Sequence, residues 1–179
     1  LGMLPGKALA SNGDFSASPA DNTPSAWDGT VADSYAGGSG TAKEPYLIAT
    51  APQLARVAAQ VNRGAESGKY YRLTNDIYLN DVSSVDSWNI TVPHNQWTPI
   101  GSASSPFSGI FDGADHIVFG VYISSSENYQ GLFGVVGTGS SITNTGVEKS
   151  YIEGGDFVSG LCGYSTSSFG NCPSGGTVV

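Results

Sequence analysis

The sequence has few basic residues, few cysteines and no long apolar run. It contains 7 lysines and arginines against 15 acidic residues, for a formal net charge of −8 over 179 residues. Without a basic face the chain cannot displace counterions from phosphates, which excludes nucleic acid and anionic membranes as partners. No apolar stretch approaches the roughly 18 residues of a membrane-spanning helix. Two cysteines neither require nor exclude an oxidising compartment.

Glycine, by contrast, is abundant. The chain has 25 glycines, and only 12% of its residues are charged. Together with many Ser, Thr and Asn, this composition favours turns and short strands over helices. The hydrophobic share of 39% is large enough for a core, and the length fits one domain. The composition therefore predicts an all-β protein.

A Gly-Leu-x-Gly phrase occurs twice, as GLFG from Gly131 and as GLCG from Gly160. Each copy is followed by a Ser-Ser pair, an Ile or Phe, an Asn and a Gly. Repeats with a period of roughly 20–50 residues indicate one small unit stacked into a continuous core. Leu132 and Leu161 would then occupy equivalent interior positions. The pattern predicts a solenoid of short strands.

The segment DGADHIVFGVYI (112–123) is predicted to form part of this coil. Two arrangements of its side chains are possible: strict alternation between the inner and outer faces, or a bulge at Gly120 that changes the alternation. Alternation points Ile117 and Phe119 inward, whereas the bulge points Val118 inward. Both registers bury Val121 and Ile123. Similar apolar positions recur along the chain, at Ile117 or Val118, then Ile142, then Phe169.

One helix is predicted, near residues 51–63. Thr50 is its N-cap, Gln53 completes a capping box, and Pro52 lies in the first turn. The apolar stripe of this helix consists of Leu54, Val57, Ala58 and Val61. A stacked coil leaves its first turn with open backbone groups and exposed apolar side chains. The helix is therefore predicted to cap the N-terminal end of the solenoid.

The segment KYYRLTNDIYL (69–79) precedes a long loop-like stretch at 80–108. Its alternating pattern is that of a strand with one buried face. The residues predicted on that face are Tyr71, Leu73, Asn75, Ile77 and Leu79.

The first 45 residues show little apolar periodicity. Residues 1–10 end in Ala-Leu-Ala before Ser11, which fits the remnant of a signal peptide; an ordinary chain terminus is the alternative. Residues 11–45 are predicted to be a leader or linker anchored by Trp27 and Tyr35. Residues 46–179 then form the solenoid segment, which is expected to continue beyond its C-terminus and to leave an open strand edge.

The phrases YQGLFG and VSGLCG, each followed by Ser-Ser…Asn…Gly, resemble the GLUG motif of bacterial surface proteins. PYLIATAPQLARVAAQVNRG, KYYRLTNDIYLN, QWTPIG and PFSGIFDGADHIVFGVYI resemble the segment that precedes those repeats, so the resemblance covers residues 27–179. It implies a right-handed parallel β-helix in an exported, adhesin-like protein; the region is also found in bacterial immunoglobulin A peptidases. The motif carries no catalytic residues. Neither His94 nor His116 begins the His-Glu-x-x-His zinc motif of those peptidases.

Asp112, Asp115 and His116 are the candidates for acid–base chemistry. β-Helices host polysaccharide hydrolases and lyases, and two carboxyl groups can supply the acid and the base or nucleophile. The alternative is a turn whose polar side chains lie in solvent. A Gly-containing turn would leave both carboxyl groups ionised, and the nearest basic residue after it is Lys149. We therefore predict that these three residues are not catalytic.

Two further sets of residues have two interpretations each. An aromatic set can stack on sugar rings or anchor long loops to a core; it comprises Trp88, Trp97, Tyr70, Tyr71 and Tyr78. Carboxylates in NDIYLND (75–81) and DVSSVD (81–86) can bind calcium but lack the dense spacing of a calcium loop. We assign no catalytic, cofactor-binding or metal-binding residue.

The two cysteines occupy repeat positions, Cys162 in place of Phe133 and Cys172 in place of Thr145. This favours buried, unpaired thiols. A bridge between them would close a loop of about ten residues, which a turn allows.

The sequence thus predicts a non-catalytic β-helix section of an exported bacterial cell-surface protein, secreted or held at the cell surface. It would act as a stalk or as an adhesive surface for a host glycan or protein or another cell-surface component. Its open edge would allow self-association. The alternatives are a carbohydrate-active β-helix enzyme and the scaffold of a large surface peptidase. A concave cluster of acidic and basic residues on one face would favour the enzyme.

Overall fold

A computed structural model describes residues 26–170 and 177–178 of the chain. The helices are α1 (Ala51–Asn62) and a 3₁₀ helix (Val82–Ser87). The strands are β1 (Tyr46–Ile48), β2 (Tyr70–Leu73), β3 (Ile77–Tyr78), β4 (Ile110–Phe119), β5 (Tyr122–Ser124), β6 (Phe133–Val136), β7 (Ser141–Glu148), β8 (Tyr151–Glu153), β9 (Cys162–Ser165), β10 (Ser168–Gly170) and β11 (Thr177–Val178). The fold is mostly strands, as the composition predicts. The predicted signal remnant at 1–10 and Cys172 lie outside the described residues.

The strands form three sheets, and all pairings between them are parallel. The orders are β1-β2-β4-β7-β10, with β3 also pairing with β4, then β5-β8-β11, then β6-β9. From β4 onward the chain contributes one strand to the first sheet, one to the second and one to the third before it returns to the first. Strands that are distant in sequence therefore lie side by side at regular intervals.

The two Gly-Leu-x-Gly copies lie side by side in this arrangement. Phe133 of β6 pairs with Cys162 of β9, which holds the same place in the second copy. The N–H of Leu132 donates to the carbonyl of Gly160 at 3.1 Å. Both leucines of the motif, Leu132 and Leu161, are buried. The prediction that they occupy equivalent interior positions is confirmed.

Part of the predicted long loop also joins the sheets. The N–H of Trp97 donates to the carbonyl of Tyr122 at 2.7 Å. Ile100 and Phe107 form parallel bridges with Phe133 and Val136 at the two ends of β6. Residues 97–107 therefore supply β5 and β6 with backbone neighbours on the side opposite β8 and β9.

Among the described residues, one apolar cluster includes side chains from helix α1 and from all three sheets. Three of its rings meet edge to face, with Phe107 and Phe111 each 5.2 Å from Phe133 between ring centroids. Among the described residues, no helix combines the length and the apolar character that a membrane crossing requires.

The bulged register of 112–123 is the observed one. Val118, Val121 and Ile123 are buried, whereas Ile117 and Phe119 are only half-buried. Gly120 adopts a φ of 75°, which a side chain would disfavour, and this residue lets the chain turn between β4 and β5.

Two details of the predicted strand pattern are wrong. Ile142 pairs with Phe111, and not with Ile117 or Val118, because paired residues of β4 and β7 are further apart along the chain than Ile142 is from Ile117 or Val118. Phe169 does pair with Ile142. Asn75 is exposed because it lies in a bend between β2 and β3, which are separate strands.

Helix α1 begins after Thr50, as predicted, but its capping box differs. The Thr50 side chain makes no capping hydrogen bond. Instead, Gln53 Oε1 accepts a 2.8 Å hydrogen bond from the N–H of Ala49, one residue further back. The predicted apolar stripe is confirmed, since Leu54, Val57, Ala58 and Val61 are all buried.

Residues 26–45 pack against this helix and strand β1. The N–H of Ala36 donates to the carbonyl of Leu47 at 2.9 Å, and Arg56 lies over the Tyr35 ring at 5.2 Å from its centroid. Trp27 and Tyr35 both pack against the core, as predicted. The described part of the predicted leader is thus held by specific contacts.

Glu66 links this N-terminal segment to the first sheet. Its Oε2 accepts hydrogen bonds from the hydroxyls of Tyr35, at 2.6 Å, and Tyr71, at 2.9 Å. Burial and the neighbouring Glu66 raise the pKa of both tyrosines above the usual range. Both phenols therefore stay protonated as hydrogen-bond donors well into the alkaline range.

Candidate functional site

The predicted acid–base candidates lie on strand β4, where the strand is irregular. Ala114 and Asp115 adopt left-handed backbone conformations, with φ of 51° and 68°. Asp112 and His116 are the two residues between which the register of β4 with β7 shifts. The segment is thus a kink within a long strand and not the turn that opens it.

Asp112 is held by a charge and two hydrogen bonds. Arg72 Nη1 lies 2.6 Å from Asp112 Oδ2, and Asn144 Nδ2 donates to Asp112 Oδ1 at 3.0 Å. Partial burial raises the pKa of Asp112, but the hydrogen bonds from Asn144 and the Ala114 N–H and the charge of Arg72 together hold that pKa below its usual range. Asp112 is therefore a stable carboxylate and a poor proton donor.

Arg72 is the basic neighbour that the sequence did not reveal. It is distant from Asp112 along the chain, but β2 and β4 pair in register at these two residues. Along the chain the nearest basic residue after this segment is Lys149, but parallel pairing brings the cation of Arg72 from the preceding strand of the sheet to Asp112.

His116 belongs to a separate pair. Its Nδ1 lies 3.2 Å from Asp76 Oδ1, and the same oxygen accepts a 3.0 Å hydrogen bond from the N–H of Ile117. Asp112 is thus engaged with Arg72 and His116 with Asp76. These contacts fix the kink in β4, and they do not bring Asp112 and His116 together as an acid–base pair.

The predicted aromatic set mostly serves as loop anchors. Trp88, Trp97 and Tyr71 are buried, so their faces are closed to a sugar. The indole N–H of Trp97 donates to the carbonyl of Leu132 at 3.1 Å, which ties the loop to the core. Tyr70 and Tyr78 are half-buried. The interpretation as anchors is confirmed for both tryptophans.

The candidate calcium segments are engaged in local structure. Asp81 Oδ1 accepts a hydrogen bond from the N–H of Ser83 at the start of the 3₁₀ helix, and its hydrogen bonds from Ser83 lower the pKa of Asp81. Across residues 26–170 and 177–178, no three His, Cys, Asp or Glu side chains are grouped closely enough to hold a metal ion.

An open cleft lies between the N-terminal segment and the first sheet. It has a volume of about 760 Å³, and its lining includes Asp28 and Asp76. Asp28 accepts hydrogen bonds from the N–H and hydroxyl of Thr30, which lower its pKa, while Asp76 is engaged with His116. Both carboxyl groups are thus engaged in contacts of the fold.

A different aromatic cluster is exposed. We name Tyr129, Phe157 and Tyr164 the aromatic patch. The rings of Tyr129 and Phe157 stack at 5.2 Å between centroids with an interplanar angle of 15°. The Tyr164 ring meets both of them edge-on, at 5.8 and 5.6 Å. Phe157 is 51% exposed and Tyr164 is 42% exposed, so the patch presents apolar ring surface to solvent.

The loops before β6 and β9 hold the patch in place. The next residues, Gln130 and Val158, form a parallel bridge, which sets Tyr129 beside Phe157. Both aromatic residues adopt φ of 64°, a left-handed conformation that is strained for residues with a side chain. The same strained geometry at equivalent positions of two successive loops directs two rings to the same surface.

The last glycine of the second motif makes room for these loops. A Cβ on Gly163 would lie 2.6 Å from the carbonyl oxygen of Phe157 and 2.7 Å from the carbonyl carbon of Tyr129. Only a residue without a side chain allows the two loops to lie flat against β9. The repeated motif thereby positions the patch.

The surroundings of the patch are acidic and polar. Between residues 124 and 170 the chain has a single basic residue, Lys149, and four acidic ones. Among the described residues, the hydroxyls of Tyr129 and Tyr164 have no hydrogen-bond partner. The patch therefore offers flat rings and two free hydroxyls, in a segment of the chain that carries more acidic than basic residues.

The sequence did not predict the aromatic patch. Tyr129 and Phe157 stand two and three residues before the two Gly-Leu-x-Gly copies. An aromatic residue before each copy of a repeated motif was the available signal. Its exposure, however, depends on how two loops that are distant in the sequence stack on each other.

Comparisons with known proteins give two relatives. Over 119 residues, or 66% of this chain, it is 33% identical to a Gly-rich membrane protein of Evansella cellulosilytica. Over 158 residues, or 85% of this chain, it is 31% identical to halomucin of Haloquadratum walsbyi. The matched regions are 12% and 2% of those two proteins, so the chain spans a small fraction of the length of each. No family model matches the chain, and no solved structure matches it significantly.

Proposed function

We propose that this chain is a section of a right-handed parallel β-helix in an exported cell-surface protein of the GLUG-motif kind. The regular return of the chain to three parallel sheets supports this architecture, because β4, β5 and β6 pair with β7, β8 and β9 in that order. Helix α1 follows β1, the end strand of the first sheet, which suits an N-terminal cap. The names of the two relatives support a location at the cell surface.

We further propose that the section is non-catalytic and that its aromatic patch is an adhesive surface. The observation that carries this proposal is the left-handed backbone at both Tyr129 and Phe157. A left-handed residue with a side chain costs about 1–2 kcal/mol relative to the right-handed form. Such a cost at the same position of two neighbouring loops, for a half-buried Tyr129 ring and an exposed Phe157 ring, supports a role beyond the core.

The ligand class that suits the patch is a neutral polysaccharide. The apolar faces of sugar rings can stack on exposed aromatic rings, while sugar hydroxyls can bond to the free hydroxyls of Tyr129 and Tyr164. The acidic surroundings repel uronic acids and sulfated sugars. An extended polymer also matches a surface that repeats along the coil.

The proposal is tested by co-sedimentation with insoluble polysaccharides. The neutral probes are amorphous cellulose, chitin and insoluble starch; calcium alginate gel is the anionic probe and chitosan the cationic one. We expect binding to at least one neutral probe and none to alginate. Phe157→Ala should weaken that binding by about tenfold or more, the loss expected when a central aromatic contact is removed.

Ile90→Ala is the matched control, because Ile90 is an exposed apolar residue on another loop. It should bind like the unmodified chain. Absence of binding to every neutral probe, or equal binding by Phe157→Ala, would contradict the adhesive role. Release of reducing ends or unsaturated sugars that disappears in a folded Asp112→Asn or Asp115→Asn variant would instead support the enzyme alternative.

A further inference from the structure

The loop from Asn80 to Asn95 is closed at its base by its two terminal asparagines. Asn80 Nδ2 donates to the carbonyl of Asn95 at 2.7 Å, and the N–H of Asn95 donates to Asn80 Oδ1 at 2.9 Å. Asn80 is buried and also donates to the carbonyl of Gly120 at 3.0 Å. Within the loop, Trp88 is buried and packs edge-on against Tyr122. The base and one side of the loop are therefore fixed.

The tip of this loop, residues 89–92, projects into solvent. Its turn is held by hydrogen bonds from the N–H groups of Ile90 and Thr91 to the carbonyl of Ser87, at 2.9 and 2.7 Å. Ile90 is 83% exposed and Val92 is 65% exposed, more than any other large apolar side chain in the described part of the chain. Buried Trp88 thus directly precedes an exposed tip whose turn is hydrogen-bonded.

Two polar side chains alternate with these apolar ones. Asn89 and Thr91 are exposed, and within residues 26–170 and 177–178 neither side chain has a hydrogen-bond partner. Four other polar side chains of the loop already make hydrogen bonds within the fold. They are Asn80 and Asn95 at the base, Asp81 at the start of the 3₁₀ helix and Ser87 within that helix. An amide and a hydroxyl two residues apart are thus left available at the tip.

We propose that Asn89 is the acceptor of an N-linked glycan. Asn89-Ile90-Thr91 has the Asn-x-Ser/Thr form that glycosylation requires, and among the ten asparagines of the chain Asn89 alone stands in such a triplet. The co-reactant is an oligosaccharide linked through phosphate to a lipid. The Asn89 side-chain nitrogen forms a bond to the anomeric carbon and loses a proton. The bond from that carbon to the phosphate oxygen breaks, and the lipid phosphate leaves.

The exposed tip meets the requirements of this reaction. A transferase must reach the amide, the middle residue and the Thr hydroxyl together, and a solvent-exposed tip presents all three without unfolding. The attached sugar would cover Ile90 and Val92, which explains why a soluble surface tolerates two strongly exposed apolar side chains next to each other. This inference rests on the proposed export of the chain, because the transfer takes place on exported proteins.

The test is mass spectrometry of the protein isolated from its native cells. Chymotrypsin cleaves after Trp88 and Trp97, which isolates residues 89–97 as one peptide. We expect this peptide to carry the mass of at least one sugar in the unmodified protein. The mass should be lost in Asn89→Gln and in Thr91→Ala, and it should be retained in Thr91→Ser, which keeps the hydroxyl. Asn95 in the same peptide is an internal control, since it stands in no acceptor triplet.

Surface proteolysis of intact cells separates this inference from the proposed function. If the chain is accessible at the surface and its 89–97 peptide has the unmodified mass, the glycan assignment is wrong while the surface location holds. If the chain is inaccessible and unmodified, both are wrong. Sugar that persists in Asn89→Gln would also overturn the assignment, because the modified residue would then be another one.

Discussion

Strands β6 and β9 carry the two copies of the Gly-Leu-x-Gly phrase and share one register, yet they differ in burial. All four residues of β6 are buried, whereas those of β9 are half-buried or exposed. β6 lies between β9 on one side and the bridges from Ile100 and Phe107 on the other. In the described part of the chain, β9 pairs with β6 alone.

In each copy of the motif, the backbone path and the burial of the side chains are determined by different residues. The glycines and leucines fix the backbone path, which is the same in both copies. The side chains between them follow the local surroundings: buried Phe133 is matched by half-buried Cys162, and buried Val135 by exposed Tyr164. A repeated phrase therefore specifies the strand pairing, and the variable positions within it decide what surface each strand presents.

The largest expected effect comes from the pair Phe133 and Cys162. Phe133→Ala should lower the free energy of unfolding by about 3–5 kcal/mol, because it leaves a cavity between the rings of Phe107 and Phe111. Cys162→Ala at the equivalent position should cost about 1 kcal/mol or less. Urea denaturation followed by tryptophan fluorescence measures both. Equal losses would mean that the two strands are buried to the same extent.

A smaller effect is expected at the glycines. Within the second motif, a Cβ on Gly163 would lie 2.6 Å from a carbonyl oxygen, whereas a Cβ on Gly160 would meet nothing closer than Val147 Cβ at 3.9 Å. Gly163→Ala should therefore destabilise the protein by about 1–3 kcal/mol, and Gly160→Ala should stay within about 0.5 kcal/mol of the unmodified chain. Urea denaturation of the two variants side by side measures the difference.

The corresponding change in the first motif extends this comparison. A Cβ on Gly134 would lie 2.4 Å from the carbonyl oxygen of Gly101, so Gly134→Ala should be at least as damaging as Gly163→Ala. Gly163→Ala should also reduce polysaccharide binding, because it displaces the loops of the aromatic patch. A Gly163→Ala variant as stable as Gly160→Ala would argue against close contact between β9 and these loops.

The parallel pairing of the two motif copies could be predicted from the sequence because its signals are local. The spacing of the two motifs reappears in the pairing of Phe133 with Cys162, and a glycine at position 120 was enough to raise the bulged register that buries Val118. Both conclusions need only residue types and their spacing along the chain.

The surface could not be predicted in the same way. Arg72 reaches Asp112 from a different strand, and the patch needs two loops and a strand to meet. One residue more or fewer in the kink of β4 would change the partner of every later residue of that strand. Burial was also misjudged where it depends on neighbours: Cys162, predicted to be buried, is a half-buried free thiol.

An effect of about 1 kcal/mol should separate two replacements of Phe157. Both Phe157→Ala and Phe157→Gly remove the exposed ring, but only glycine relieves the left-handed backbone at φ of 64°. Phe157→Gly should therefore be more stable than Phe157→Ala, while neither binds polysaccharide. Tyr129→Gly and Tyr129→Ala should show the same order. If alanine is the more stable replacement, the backbone there is not strained and does not support a dedicated binding surface.

The smallest expected effect concerns the thiol of Cys162, the residue at which the second copy of the motif differs from the first. Burial raises the pKa of Cys162 to about 11, against about 8.5 for an unperturbed thiol. Only the thiolate reacts with iodoacetamide, so at pH 8 the folded protein should be alkylated roughly 100-fold more slowly than the urea-denatured protein. A Cys172→Ser background restricts the measurement to one thiol. The pKa of Cys162 is higher in the folded protein than in the unfolded chain, so folding favours the protonated thiol. The contribution of this thiol to the free energy of unfolding is therefore complete below about pH 8.5 and is lost as the pH rises towards 11. A folded-state alkylation rate that levels off near pH 9 would show that β9 is as open to water as an unfolded strand.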